Sequence, residues 1–87
     1  MGYNASADGG QGETLGAIAI GSNAKVNNAN GGIALGNSST SGNVNAVSIG
    51  TNSTSGGSSA VSIGNSSSAG TDNSVAIGNL AAVTCYG

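Results

Sequence analysis

A five-residue phrase returns along this chain at nearly constant intervals. The phrase Ala46-Val47-Ser48-Ile49-Gly50 has four close counterparts, and each of them ends on a glycine. The closing glycines are Gly21, Gly36, Gly50, Gly64 and Gly78. From Gly36 onward they keep a 14-residue period, and the interval from Gly21 to Gly36 is longer by a single position. A fixed period of this length is typical of solenoid folds, in which each repeat forms one coil and neighbouring coils stack.

Large and small residues alternate inside each copy of the phrase. In a strand, this alternation places β-branched side chains on one face and Ala or Ser on the other. We interpret the large residues as a structural ladder that recurs in every coil. Its members are Ile18, Ile20, Ile33, Leu35, Val47, Ile49, Val61, Ile63, Val75 and Ile77. The glycine that closes each copy predicts a corner with positive φ, where a Cβ would be unfavourable.

A second pattern follows each corner glycine. The third and fifth places after it hold small residues, for example Ser39 and Ser41, whereas the fourth place holds residues such as Lys25, Thr40 or Thr54. This alternation predicts a second short strand with small side chains inward and polar side chains outward. Each coil then contains one apolar strand, one small-polar strand and two turns, and parallel strands of neighbouring coils lie about 4.8 Å apart. The predicted class is therefore all-β, a parallel β-roll or solenoid.

The composition leaves few ways to stabilise so small a fold. The 87 residues include 17 glycines and two aromatic residues, so a core of large side chains is excluded. Thin cores usually require disulfides, a metal or oligomerisation. Cys85 is the single cysteine and there is no histidine, which excludes an intrachain disulfide and the usual zinc sites. Oligomerisation is the remaining means of stabilisation.

Charge and hydropathy exclude several classes of function. The net charge is −2 and Lys25 is the single basic residue, so the chain cannot neutralise a row of phosphates and we expect no nucleic-acid partner. No apolar run approaches the ~20 residues of a membrane span, so we expect no membrane insertion by this segment. Without histidine, and with only Asp8, Glu13 and Asp72 as acids, the chain offers no catalytic constellation. We expect no enzyme activity, no cofactor and no bound metal.

The repeats extend over residues 1–87, which we interpret as a single domain of about five coils. The interval from Gly2 to Gly21 is longer than one standard repeat, and we place the excess in a polar, glycine-rich loop at 8–14. Both ends look like cuts through a longer array, because natural solenoids carry atypical capping units.

Four smaller features of the sequence are two acidic residues, the cysteine, the two tyrosines and a set of Asn-x-Ser/Thr tripeptides. Asp8 and Glu13 could hold calcium together with backbone carbonyls, but we expect a solvated loop. Cys85 is expected to be a free thiol or a small buried residue. Tyr3 and Tyr86 are expected to pack at irregular coils. Several Asn-x-Ser/Thr tripeptides follow from the repeat rather than from glycosylation, and they begin at Asn4, Asn37, Asn52 and Asn65.

The phrase Ser74-Val75-Ala76-Ile77-Gly78, recurring once per repeat with small residues at the third and fifth following places, resembles the YadA-like head repeats of trimeric autotransporter adhesins. The resemblance covers essentially the whole chain, apart from the insertion at 8–14 and the Cys85-Tyr86 ending. It implies a left-handed parallel β-roll and a homotrimer, in which each chain presents its apolar strand to the trimer axis. It also implies an extracellular location at a bacterial cell surface. Similar repeats occur in bacteriophage tail fibres, which gives a virion as the alternative location.

Three functions are compatible with these observations. The first is an adhesive head that attaches to an extracellular-matrix or cell-surface ligand, whose identity the residues do not specify. The second is a tail-fibre or passive spacer segment. The third is an ice-binding solenoid, for which Thr40, Thr54 and Ser68 align but Lys25 and Ala82 interrupt the hydroxyl row.

The corner assignment leads to a first prediction. Replacing Gly64 by Val should lower the melting temperature more than replacing Thr54 by Val, because the corner requires a backbone that β-branched residues avoid. Circular dichroism melts of the two variants measure this difference. Equal melting temperatures would contradict the assignment.

Overall fold

The structure is a computed structural model that describes residues 2–7, 16–27 and 31–84. Within these ranges the regular secondary structure consists of β-strands alone. Together the strands form a parallel solenoid of about four turns. The strands are β1 (Ser6–Ala7), β2 (Ile18–Ile20), β3 (Lys25–Val26), β4 (Ile33–Leu35), β5 (Thr40–Ser41), β6 (Val47–Ile49), β7 (Thr54–Ser55), β8 (Val61–Ile63), β9 (Ser68–Ala69), β10 (Val75–Ile77) and β11 (Ala82–Val83).

The strands alternate between two parallel sheets. One sheet has the order β1-β3-β5-β7-β9-β11, and the other has the order β10-β8-β6-β4-β2. Equivalent residues of successive coils lie side by side, so that Val47 pairs with Val61 and Ile49 pairs with Ile63. The 14-residue period of the sequence is therefore the length of one coil, and the predicted second strand after each corner glycine is present.

The corner glycines form a column in which backbone packs on backbone. Gly50 has φ 127° and lies against the equivalent glycine of the next coil. A Cβ added to Gly50 would stand 2.5 Å from the carbonyl oxygen of Gly64, which is far inside van der Waals contact. The turn is closed by the Ser53 amide, which donates to the Gly50 carbonyl at 3.2 Å. Both the positive φ and the close approach of the next coil therefore restrict this place to glycine.

The second turn of each coil also contains a residue in the left-handed backbone region. Asn45, Ser59 and Asn73 occupy this place with φ of 57°, 58° and 59°. The Ala60 amide closes one of these turns by donating to the Gly57 carbonyl at 3.2 Å. Asn and Ser suit such places because their short polar side chains tolerate positive φ.

The interior of the solenoid is built from small side chains. The buried residues are almost all alanine and serine, and Val26 is the largest side chain that is fully buried. The third and fifth places after the corner glycines point inward, which confirms the prediction made for the second strand. The ten ladder residues lie on the outer surface instead, because their neighbours in the same strands, such as Ser48 and Ser62, fill the inside.

Buried serine hydroxyls in the middle coils are paired with one another. The Ser48 and Ser53 Oγ atoms lie 2.7 Å apart, and Ser53 Oγ also donates to the Gly50 carbonyl at 2.9 Å. A hydroxyl has one proton, so Ser48 donates to Ser53. Ser62 and Ser67 repeat the arrangement one coil further along. The last described coil has Ala76 and Ala81 at the same places and needs no such pair.

Some sequence interpretations concern residues outside the described ranges. The inserted loop at 8–14 with Asp8 and Glu13 is one of them, and the Cys85-Tyr86 ending is the other. Both stay predictions.

Two adjacent glycines offer a matched test of coil stacking. Gly57 is buried, and a Cβ added there would collide with the backbone of Thr71 and Asp72 in the next coil. A Cβ on Gly56 would have nothing within 4 Å, and neither glycine has positive φ. Gly57→Ala should therefore lower the free energy of unfolding by about 1–3 kcal/mol. Gly56→Ala should leave it within about 0.5 kcal/mol of the original value. Denaturant melts measure both, and a larger loss for Gly56→Ala would refute the stacking.

The serine pairs give an asymmetric prediction. Ser53→Ala removes the acceptor of the buried Ser48 hydroxyl, so the free energy of unfolding should fall by about 1–3 kcal/mol. Ser48→Ala should have a smaller effect, since Ser53 still donates to the Gly50 carbonyl. The double variant reproduces the pair Ala76 and Ala81 of the last described coil and should lose less than Ser53→Ala alone. The same denaturant melts test this order, and equal losses for the two single variants would contradict the donor assignment.

Candidate functional site

The ten ladder residues form one outer surface, which we call the apolar face. They stand in two columns, since each strand from β2 to β10 of this sheet contributes its first and third residue. The members in the middle coils are half-buried by their neighbours. At the last coil the side chains are more exposed, with 58% of Val75 and 64% of Ile77 accessible. The sheet thus presents a continuous row of Val, Ile and Leu without a charged residue.

A contiguous apolar surface of this kind indicates association with another apolar surface. The interior cannot take up these side chains, because the space between the sheets is filled by Ala and Ser. The β-branched residues also suit the strands that carry them, since such side chains pack well along a pleated surface. What this face can do is bind by burial of apolar area, without any group for covalent or acid–base chemistry.

The opposite sheet presents a second surface, which we call the polar face. Its outward residues follow the register of the coils and are Ser6, Lys25, Thr40, Thr54, Ser68 and Ala82. Thr40, Thr54 and Ser68 therefore stand side by side on neighbouring strands, as the sequence predicts. Lys25 and Ala82 flank this short hydroxyl row. The polar face offers hydrogen-bonding groups at the spacing of the coils.

The corner turns carry exposed amide and hydroxyl groups. Asn37 Oδ1 accepts a hydrogen bond from Ser38 Oγ at 2.9 Å, and Asn65 accepts one from Ser66 at the same distance. In each of these turns the following residue is a buried serine. In the first turn it is Ser39, which follows Ser38. Its hydroxyl donates to the Gly36 carbonyl at 3.0 Å. In the folded chain this hydroxyl is therefore unavailable to an enzyme that reads the Asn-x-Ser tripeptide.

Charged groups are sparse on both faces. Asp72 Oδ1 accepts a hydrogen bond from the Ser58 amide at 2.9 Å, which links two neighbouring coils.

Within residues 2–7, 16–27 and 31–84, no group of three or more His, Cys, Asp or Glu side chains is placed to hold a metal. The described part of the chain also contains no helix of the length and apolarity that crossing a membrane requires.

Two residues are exposed although the sequence did not predict it. Tyr3 is 75% exposed, so the prediction that it packs at an irregular coil is wrong. Leu80 lies in a corner turn with φ 64° and is 69% exposed, which the alternation of large and small residues does not predict. The available signal was its place in the repeat, the second after a corner glycine, where the earlier coils have Asn or Ser.

Comparison with known proteins adds one match. Residues 15–39 and 55–81 match the family model of the YadA head domain repeat, which occurs twice. The two stretches together span more than half of the 87 residues. No curated protein and no solved structure gives a significant match.

Proposed function

Because the chain belongs to the YadA head domain repeat family, we propose that it is a head segment of a trimeric surface adhesin. In this proposal each chain is a left-handed parallel β-roll, and three chains pack side by side with their apolar faces toward a common axis. The segment is non-enzymatic and lies outside a bacterial cell. It attaches to an extracellular-matrix or cell-surface ligand through the outer surfaces that the trimer leaves free.

One observation carries the proposal, namely the placement of the ten ladder residues outside a thin Ala/Ser interior. Burying a Val, Leu or Ile side chain contributes roughly 1.5–3 kcal/mol. A single chain leaves much of this contribution unused, whereas association of three copies along the apolar face would recover it. The ladder residues would thus contribute more to the association of three chains than to the interior of a single roll.

The polar face and the corner turns support the adhesive part of the proposal. Their hydroxyl and amide groups repeat at every coil, and the trimer would present three copies of each row. Individually weak contacts of this kind gain strength through multivalency, without requiring a deep pocket. The hydroxyl row is short and ends at Lys25 and Ala82, so an ice-binding surface is the less favoured function.

A pair of isosteric exchanges tests the assembly. Val47→Thr with Val61→Thr introduces hydroxyls on the apolar face, which should cost about 1–3 kcal/mol for each hydroxyl buried without a partner. The trimer should therefore dissociate at higher protein concentration than the unsubstituted chain. Thr40→Val with Thr54→Val makes the reverse exchange on the polar face and should leave the trimer intact. Sedimentation equilibrium measures both, and a monomeric unsubstituted chain would refute the trimer.

Binding assays on the trimer separate the remaining functions. An adhesin should bind at least one component in a panel of extracellular-matrix proteins, glycans and host cells, and a trimer should bind more tightly than a monomeric variant. Binding to bacterial cells instead would indicate a tail fibre. Thermal hysteresis would indicate ice binding, and the absence of binding to every surface would indicate a passive spacer.

A further inference from the structure

We infer that the side-chain amide of Asn52 is a site of N-linked glycosylation in the folded chain, where a transferase attaches a sugar from a nucleoside diphosphate sugar. The inference goes beyond the proposed function and requires neither the trimer nor a ligand of the head. Its basis is that the four Asn-x-Ser/Thr tripeptides, which are alike in sequence, occupy two different places in the coil.

The place of the asparagine in the corner turn decides where the third residue of its tripeptide points. Asn37 and Asn65 come first after their corner glycines, so their tripeptides end at the third place, which faces the interior. Asn52 comes second after Gly50, so its tripeptide ends on Thr54 at the fourth place, which faces outward. A shift of one residue along a strand moves a side chain to the opposite face.

The two inward-ending tripeptides are blocked by the fold. The acceptor pattern requires a hydroxyl at its third residue. These hydroxyls belong to Ser39 and Ser67, which are buried, and each donates to the carbonyl of its own corner glycine, at 3.0 and 2.9 Å. The side-chain oxygens of Asn37 and Asn65 also accept hydrogen bonds from the next residue. A transferase that acts on the folded chain therefore finds neither hydroxyl available.

The tripeptide of Asn52 is open at both of the groups that matter. Asn52 and Thr54 are exposed, and the hydrogen bonds of the described residues engage the main chain of both but the side chain of neither. Coils stack on both sides, since Thr54 pairs with Thr40 and with Ser68. The exposure of this tripeptide is thus a property of the middle of the solenoid and does not arise at an end of the described chain.

One further tripeptide has the outward arrangement. Asn4 comes second after Gly2, and its tripeptide ends on the exposed Ser6. The strand of Ser6, β1, pairs with β3 alone, so the exposure of this coil is set by a single neighbouring coil. We therefore assign the site to Asn52 alone.

The reaction at Asn52 is a substitution at the sugar. Asn52 Nδ2 forms a bond to the anomeric carbon, and the bond from that carbon to the phosphate oxygen breaks. The nucleoside diphosphate leaves with the electron pair, and Nδ2 loses one proton to a base of the transferase. No oxidant or reductant is involved. The hydroxyl of Thr54, free two residues further on, is the group by which the transferase recognises the acceptor.

The test offers the folded protein to a soluble N-glycosyltransferase that accepts Asn-x-Ser/Thr, with UDP-glucose as the donor. Cleavage after Lys25, the single basic residue, separates Asn4 from the other acceptors, and mass spectrometry counts and locates the added hexoses. In the fragment 26–87 we expect one hexose, at Asn52. Modification of Asn37 and Asn65 should be about tenfold lower or less, because releasing a buried, hydrogen-bonded hydroxyl costs free energy. Asn52→Gln should remove the hexose.

Two variants separate the effect of the fold from that of the tripeptide sequence. Thr54→Ser makes all three tripeptides of the fragment end on serine, and modification at Asn52 should persist. Thr51→Asn with Asn52→Ser moves the asparagine to the first place, so that the tripeptide ends on the buried Ser53 as in the neighbouring coils. This double variant should fold with a similar melting temperature and lose the modification. Short synthetic peptides of the three tripeptides should all be accepted, because no hydroxyl is buried in them.

The possible results separate this site from the proposed assembly. Equal modification of the three asparagines in the folded protein overturns the inference, and so does continued modification of the shifted double variant. A folded protein that stays unmodified while its peptides are accepted also overturns it. Sedimentation equilibrium on the same sample reports on the trimer independently. A monomeric chain modified at Asn52 supports the site and refutes the assembly, whereas an unmodified trimer refutes the site and leaves the assembly standing.

Discussion

The narrow space between the two sheets is the constraint on which the rest of the structure depends. Alanine and serine fill it almost completely, and Val26 is the largest side chain that is fully enclosed. Side chains of interiors pack at crystal-like density, so a space of this size has no room for isoleucine or leucine. The larger residues of each coil are therefore displaced to the outside. Exposure of the apolar face is a direct consequence of how thin the coil is.

This thinness also governs the polar groups of the interior. Serine has nearly the size of alanine, but it brings a hydroxyl that must find a partner when it is buried. The coil supplies partners that lie close by in the chain. Ser53 donates to the carbonyl of Gly50, and Ser48 donates to the hydroxyl of Ser53. Ser41 and Ser55 use the carbonyls of Ala46 and Ala60 in the same way. The interior can thus hold serine in some coils and alanine in others while the backbone keeps the same path.

Much of this fold could be predicted from the sequence, because the period itself encodes the geometry. The spacing of Gly50 and Gly64 gives the length of a coil, and the alternation around Ser48 gives a strand. The alternation does not say which face of that strand points inward, since both orders fit a period of two. That choice depends on the distance between the sheets, a tertiary property. The exposure of Leu80 follows from its place in a corner turn, which the residue type does not show, and the inserted loop has no repeat to define it.

Register between the coils has a consequence for how long such a protein can be. Each coil contacts only the coil before it and the coil after it, so stability is set by nearest neighbours rather than by a central core. Both faces run parallel to the direction of stacking, and each added repeat lengthens them by one strand spacing. Evolution can therefore change the reach of the rod by duplicating or deleting whole repeats. The lateral surfaces keep the same width and chemistry, whatever the length.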